Sequence, residues 1–296
     1  MRPFHNPAPL ALASAAFLFA SLVSQSAQAG ISVTQSTSST VLGGALQGSG
    51  LTINSSTVTN GAAAQFGTYS GFNGSVITLG NGVVLSSGNV KDTEHPIPGD
   101  VLSTEEGSGG TSEYNAYGAA NVTNFTAGFD VAALRVDFTL PTASAVAFSF
   151  VFGSMEYPDF VDDFTDAFMT FLDGTSASNQ IVFDATGHPV QVGSSFASSL
   201  TTADTSTAFT SPQGLIGVLT TTTGTLAAGD HTLYFEVGDV NDQELDSAVY
   251  LTNLHASDAG GTGPITTSPV PEPSGYALLM AGLLAVGVGL RRRQSR

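Results

Sequence analysis

The residues best placed to do chemistry are acidic. Glu156, Asp159, Asp162, Asp163 and Asp166 fall in one short window, and Glu236, Asp239, Asp242, Glu244 and Asp246 in another. No Lys or Arg lies near either window in sequence. Like charges brought together raise one another's pKa and oppose folding unless a cation intervenes. A hard divalent cation meets that need: calcium takes about six to eight oxygens from carboxylates, carbonyls and water. Asn241 and Gln243 add amide oxygens to the second group. The expected calcium ligands are Asp239, Asp242 and Asp246, with Glu156 and Asp166 contributing from the other loop, whereas Asp162 and Asp163 are expected to face water. The spacing of Asp239, Asn241 and Gln243 does not meet the EF-hand template, so such a site would be assembled across loops. Acidic loops are also commonly just solvated, and the sequence leaves that reading open.

The same carboxylates could in principle act as acid and base. Glycoside hydrolysis needs two carboxyl groups about 5 to 9.5 Å apart, and Glu156 with Glu236 is a conceivable pair. Against this, sugar clefts commonly use aromatic platforms, and the chain has no Trp. Gly-x-Ser-x-Gly and His-Glu-x-x-His are absent, which removes the simplest serine-hydrolase and zinc-protease signatures. With no Cys there are no disulfides, thiolate metal sites or Cys nucleophiles. His95, His188 and His231 are far apart in sequence and read as loop or strand-end residues rather than a zinc site. The expectation is a protein that is not an enzyme.

Charge distribution narrows the partners. The formal charge is −17, and between residues 3 and 290 the only basic residues are Lys91 and Arg135. Nucleic-acid binding is excluded, because neutralising phosphates needs a field of Lys and Arg. Lys91 is followed by Asp and has no Gly-rich lead, so there is no P-loop.

The elements that must position these residues read as strands. Short β-branched and aromatic runs bounded by Gly, Asn, Asp and Pro recur, and no stretch sustains apolar spacing at three and four residues. Strands are expected at 75–79 and 83–85, around an Asn81-Gly82 hairpin turn. Others are expected at 134–140, 146–152, 167–172, 180–183, 215–220, 231–237 and 248–254. Val146, Phe148, Phe150 and Phe152 share one face, which suits a central strand packed between layers. Residues 31–72 are expected to be edge strands and loops of weak register. Tyr157-Pro158 reads as the turn that holds Glu156, and Ser247 as a packing residue or a partner for an acidic neighbour. The fold class is therefore all-β, an antiparallel β-sandwich of jelly-roll-like type, forming one domain over residues 30–259.

Both ends read as addresses. Arg2, an apolar run from Leu10 to Val23, and Ala27-Gln28-Ala29 before Gly30 form a secretory signal peptide over residues 1–29, cleaved after Ala27-Gln28-Ala29 by signal peptidase. Residues 260–269 read as a linker. An apolar stretch at 275–290 follows, about 24 Å long as a helix against a hydrocarbon core of about 30 Å, a short transmembrane helix that can insert transiently in the inner membrane. Arg291, Arg292 and Arg293 hold its end in the cytoplasm, which places the domain outside.

Pro271-Glu272-Pro273, a short apolar helix and an Arg cluster together resemble the PEP-CTERM sorting tail over residues 270–296. The resemblance implies recognition and cutting by an exosortase. Within the domain, the carrying residues are Gly82 to Gly88, Asp130 to Phe138, Phe148 to Pro158, Asp166-Ala167-Phe168, Gly238 to Asp242 and Asp246 to Tyr250. This set resembles the choice-of-anchor L domain of exported bacterial proteins, a family without an established activity. Met155 and Thr165 depart from the pattern, which has oxygen-bearing Glu and Asn there. Taken together, these features lead to the expectation of an exported cell-surface or extracellular-matrix protein whose work is adhesion or association with extracellular polysaccharide and biofilm. A secreted carbohydrate-active hydrolase and a structural coat subunit are the alternatives.

Overall fold

A computed structural model describes residues 30–74, 77–94, 101–161, 164–196, 200–201, 206–209, 214–257 and 266–269. Fourteen strands and two α-helices follow in chain order. The first half holds β1 (Ser32–Gln35), α1 (Ser39–Leu46), β2 (Thr52–Asn60), β3 (Phe66–Asn73), β4 (Thr78–Ser86), α2 (Ser112–Asn121), β5 (Gly128–Leu140) and β6 (Ala145–Ser154). The second half holds β7 (Ala167–Leu172), β8 (Val190–Gln191), β9 (Leu200–Thr201), β10 (Gly214–Ile216), β11 (Leu219–Thr222), β12 (Gly229–Val240), β13 (Ser247–Ser257) and β14 (Thr266–Pro269).

These strands form two antiparallel sheets. The first runs β1-β3-β4-β13-β6, with β10 and β11 pairing the far edge of β6 and with β9 and β14 outside them; the second runs β2-β5-β12-β7-β8. Alternation dictates how the sheets face each other. Leu134, Val136, Phe138 and Leu140 of β5, and Leu233, Phe235 and Val237 of β12, meet Val146, Phe148, Phe150 and Phe152 of β6 in one buried core. Ring pairs cross the interface, with Phe148 5.1 Å from Phe235 and Phe150 5.0 Å from Phe168, centre to centre. Each such Phe removed from water contributes roughly 2 kcal/mol. The other face of β6 is apolar too, because Val151 packs with Phe209 and Tyr250 in a second core outside the first sheet. The all-β sandwich expected from the alternation is thus the architecture present.

Two helices were not expected, and each has a local cause. α1 falls within residues 31–72, which were expected to be edge strands and loops. A Cβ at Gly43 would stand 3.1 Å from both Ile53 and Ser56, so the glycine lets the helix press onto β2 while Leu42 and Leu46 enter the core. In α2 Tyr114 and Tyr117 face inward, against Val131, Met169 and Phe171 on the outer side of the second sheet, and Gly118 is buried beside them. Thr111 caps that helix, its Oγ1 accepting from Tyr114 N at 3.0 Å.

Three further expectations need correction or refinement. Asn81-Gly82 is not a hairpin turn: β4 runs straight through it, with Gly82 opposite Tyr69. Glycine is needed there for closeness, since a Cβ would lie 1.9 Å from Leu251 O and 2.9 Å from the Tyr69 hydroxyl. Residues 180–183 make no strand, only one bridge to Phe171. The Gln180 side chain takes the backbone's place, Oε1 accepting from Thr170 N at 2.8 Å and Nε2 donating to Val182 O at 3.0 Å. Finally, the last four residues of the expected linker form β14 against β11, Thr266 opposite Thr222 and Pro269 opposite Leu219. Expectations for residues 1–29 and 270–296 lie outside the described residues, as do those for Asp162, Asp163 and His95.

The packing of Gly82 carries a direct test. Gly82→Ala must push β13 away from β4, and the expected loss is on the order of 1–3 kcal/mol in urea unfolding. Unchanged stability would contradict the close approach.

Candidate functional site

Four strand ends bring the acidic windows together. β6 and β13 pair Ser154 with Ser247, and β12 and β7 pair Gly238 with Ala167, so the loops 155–166 and 241–246 leave the two sheets at one end. The inward alternation of Leu233, Phe235 and Val237 continues to Asp239, and that of Phe168 continues back to Asp166. The apolar core therefore ends in carboxylates. Ser247 Oγ donates to Asp166 Oδ2 at 2.7 Å, linking the first sheet to the second, and Val240 N donates to Asp166 Oδ1 at 3.0 Å. Asp166 N in turn donates to Glu156 Oε2 at 3.3 Å. Ser247 is thus a partner of an acid, one of the two roles its sequence position suggested.

Asp239 is the outlier. It is fully buried, and neither carboxylate oxygen has a hydrogen-bond donor. Its neighbours are the Asp166 carboxylate and the Ser87 hydroxyl. Ser87 is already engaged with β13, its Oγ accepting from Ser247 N at 2.9 Å and donating to Ser247 O at 3.4 Å. Asp246 is also buried. Its Oδ1 accepts from Thr104 N at 2.7 Å, and its Oδ2 has no partner. That carboxylate lies directly on Gly88, where a Cβ would stand 1.9 Å from Oδ2. Asp242 is only half-buried and caps its own loop, Oδ1 accepting from Glu244 N at 3.2 Å.

Leaving carboxylates in such surroundings costs free energy, which protonation relieves. Burial, then the neighbouring acids, pushes Glu156 and Asp239 well above the ordinary carboxylate range. Burial raises Asp166 against the hydrogen bonds from Ser247 and Val240. Burial also pushes Asp246 up to about 7, against the bond from Thr104. Of the five expected ligands, Glu156, Asp166, Asp239 and Asp246 are buried at this end of the sandwich, and Asp242 stands at its rim. Nevertheless, among the described residues no set of three or more His, Cys, Asp or Glu side chains is arranged to hold a metal ion as it stands. The donor chemistry fits a hard cation, and binding one requires the side chains to turn.

Other candidates separate. Glu236 lies on the opposite face of the second sheet under α2, where Thr111 Oγ1 donates to its Oε2 at 2.9 Å. Burial first, then Glu113, pushes it up to about 8. Glu156 and Glu236 are both buried but have different surroundings, Glu156 beside Asp166 at the end of the core and Glu236 beside Thr111 under α2. His188 contacts Asn121 O and His231 contacts Asp173, on different parts of the surface. Met155, where the resembling pattern has an oxygen donor, packs in the outer core, and Thr165 donates to Thr123 O at 3.3 Å.

Three buried acids, Glu94, Asp130 and Asp184, were not among the residues weighed from sequence as ligands or catalysts, and Asp130 is the deepest of them. Asp130 is fully buried with φ of 45°, its Oδ1 accepting from Ser108 N at 2.9 Å and its Oδ2 from Gln243 Nε2 at 3.1 Å. Gln65 Nε2 donates to Asp130 O, Ser86 O and Ser87 O, which ties the second sheet to the strand end carrying Ser87. A charge opening an otherwise apolar strand, Phe129-Asp130-Val131, was the available signal.

The comparisons with known proteins agree with this organisation. The family described as the choice-of-anchor L domain matches residues 31–254, and a PEP-CTERM protein-sorting motif matches residues 269–293. The chain belongs to the choice-of-anchor L family. No curated protein and no solved structure matches it.

The raised carboxyls set the sign of a pH effect. Their folded pKa values lie above the unfolded value of about 4, so the folded state holds extra protons. The stability they confer is complete below about pH 4 and is lost as pH rises through about 7 to 8. In chelator, the melting temperature should fall between pH 5 and pH 9. Asp239→Asn, which removes the charge lacking a donor, should flatten that fall and add on the order of 1–3 kcal/mol at pH 8. A melting temperature that holds or rises with pH would contradict the assignment.

Proposed function

We propose that the protein is a non-catalytic adhesion module for extracellular polysaccharide or biofilm matrix, with the loops at the acidic end of the sandwich ordered by calcium. The sorting motif marks an exported, surface- or membrane-associated protein processed by an exosortase during export. Among the described residues no helix is long and apolar enough to cross a membrane. Signal peptidase acting after Ala29, transient insertion of residues 275–290 with Arg291–Arg293 in the cytoplasm, and exosortase recognition of Pro271-Glu272-Pro273 complete the proposed route.

The observation that supports calcium is Asp239, wholly buried with both oxygens lacking a donor, beside Asp166 and near Asp246, whose Oδ2 is likewise unpartnered. Asp239 and Asp246 would be the principal ligands, with Glu156 and Asp166 turning toward the ion and Asp242 at the rim. The ion would supply charge neutralisation that no Lys or Arg provides here. A second reading, in which shared protons alone keep these acids together, is favoured by the lack of three converging ligands among the described residues. A non-catalytic role is supported by the sealing of Glu156 and Glu236 from solvent.

Melting at pH 8 with and without calcium separates the readings. Ion at about 100 times Kd should add roughly 2.7 kcal/mol. At pH 5, where protons compete for the same oxygens, the gain should shrink, and Asp239→Asn should remove most of it at either pH. Retention of the protein on isolated extracellular polysaccharide should fall on chelation. No shift at millimolar calcium would leave the proton reading.

A further inference from the structure

The outer face of the second sheet is divided. α2 covers the part around Val131, Met169 and Phe171. The rest is open and forms a groove of about 600 Å³ whose lining includes Asn54, Arg135, Asp137, Asp173, His231 and Tyr234. This volume falls within the range of about 300–1,000 Å³ usual for small-molecule sites. The alternation that buries Leu134, Val136 and Phe138 necessarily turns Arg135 and Asp137 outward.

Two cross-strand rows build the floor. Thr57, Arg135 and Tyr234 are paired across β2, β5 and β12, and so are Ser55, Asp137 and Thr232. Arg135 donates to Asp137 Oδ1 from Nε at 3.0 Å and from Nη2 at 2.7 Å. Thr232 Oγ1 donates to the same oxygen at 2.9 Å, and Ser55 Oγ to Oδ2 at 2.8 Å. Four bonds lock that carboxylate, and through it the guanidinium, which lies over the Tyr234 ring at 5.9 Å from its centre, while the ring itself packs against the core under α2. On the other side His231 Nδ1 meets Asp173 Oδ2 at 2.7 Å, and Nε2 meets Ala227 O at 2.9 Å. With both ring nitrogens against acceptors, the imidazolium is the form that satisfies them.

Each cation in the groove is therefore met by its own anion, on a chain whose formal charge is −17. Such a surface offers little to a polyanion, which the rest of the molecule repels. What it offers is a half-buried aromatic ring, a fixed guanidinium and several neutral hydroxyl and amide groups, the complement of an uncharged sugar ring with one apolar face and many hydroxyls.

We infer that this open half of the sheet binds a chain of uncharged pyranose units, with the Arg135 guanidinium held over the Tyr234 ring as the stacking platform in its floor and Asn54 as a hydrogen-bonding group beside it. The inference rests on the polysaccharide reading above and deepens it by naming the surface and the class of sugar.

The test uses the full-length protein in a sugar-free zwitterionic detergent, with dextran, galactan and N-acetylglucosamine oligomers as neutral probes and alginate as the anionic arm. At least one neutral glycan should bind. Tyr234→Ala should weaken it about tenfold or more, and Tyr234→Phe should change it little. Arg135→Lys, which keeps the charge and loses the fork on Asp137, should also weaken it, and Thr40→Ala in α1 should not. Neutral-glycan binding unchanged in a folded Tyr234→Ala variant would overturn the groove while leaving the polysaccharide reading in place, and so would binding to alginate alone. Failure of the wild-type protein to bind any of these glycans would overturn both. Should Tyr234→Ala fail to fold, Arg135→Lys and Tyr234→Phe decide: equal weakening in both removes the stacking role.

Discussion

A carboxylate taken out of water needs donors or a cation, and Asp239 has only the Ser87 hydroxyl and the Asp166 carboxyl beside it, neither in hydrogen-bond geometry. The strands around it are so placed that relief by exposure is closed off. Asp239 continues the inward row of β12, Asp166 the inward row of β7, and Ser247 bridges to Asp166 from the facing sheet. The sandwich and the acid cluster are one construction: the register that buries the phenylalanines also buries the carboxylates. Either protons or a metal ion must balance the charge. Both lower the number of bare negative charges, and each does so over a different pH range.

The two ends of polarity in the molecule are handled differently. At the strand ends, acids are buried without basic partners, and the chain accepts a dependence on pH or on ions. On the open face of the second sheet the reverse holds. There the one Arg between residues 3 and 290 is fully paired, and burial, which favours the neutral imidazole, is outweighed at His231 by the bonds to Ala227 O and Asp173. For Asp137, too, burial raises the carboxyl, but the bonds from Ser55, Arg135 and Thr232 outweigh it and hold it below the usual range. Loops anchored by the first region and a surface locked by the second suit a protein that works by presenting itself outside the cell.

Much of this was legible in the sequence where one rule dominates. Period-two alternation located β5, β6, β7, β12 and β13, because an antiparallel strand between two layers must alternate or be apolar throughout. Clustering of acids without bases located Glu156, Asp166, Asp239 and Asp246, since charge and its absence of partners are visible residue by residue. What escaped depends on distance between remote segments. Gly82 reads as a turn because its need for space comes from Leu251, far along the chain. α1 is hidden in a Ser/Thr/Gly-rich stretch because the reason for Gly43 is Ile53 and Ser56 across a loop. Asp130 was passed over because its partners, Ser108 and Gln243, become neighbours only after β5 and β12 pair. The groove escaped for the same reason: Ser55, Asp137 and Thr232 are brought into one row only by register.

The most direct measurement is a carbon NMR titration of side-chain carboxyls in the metal-free protein from pH 4 to pH 9. The account predicts that Asp246 and Glu236 titrate near 7 and 8, that Asp239 remains protonated into the same range, and that calcium displaces the Asp239 and Asp246 protons and not that of Glu236. Titration of every Asp and Glu below about pH 5 would contradict it.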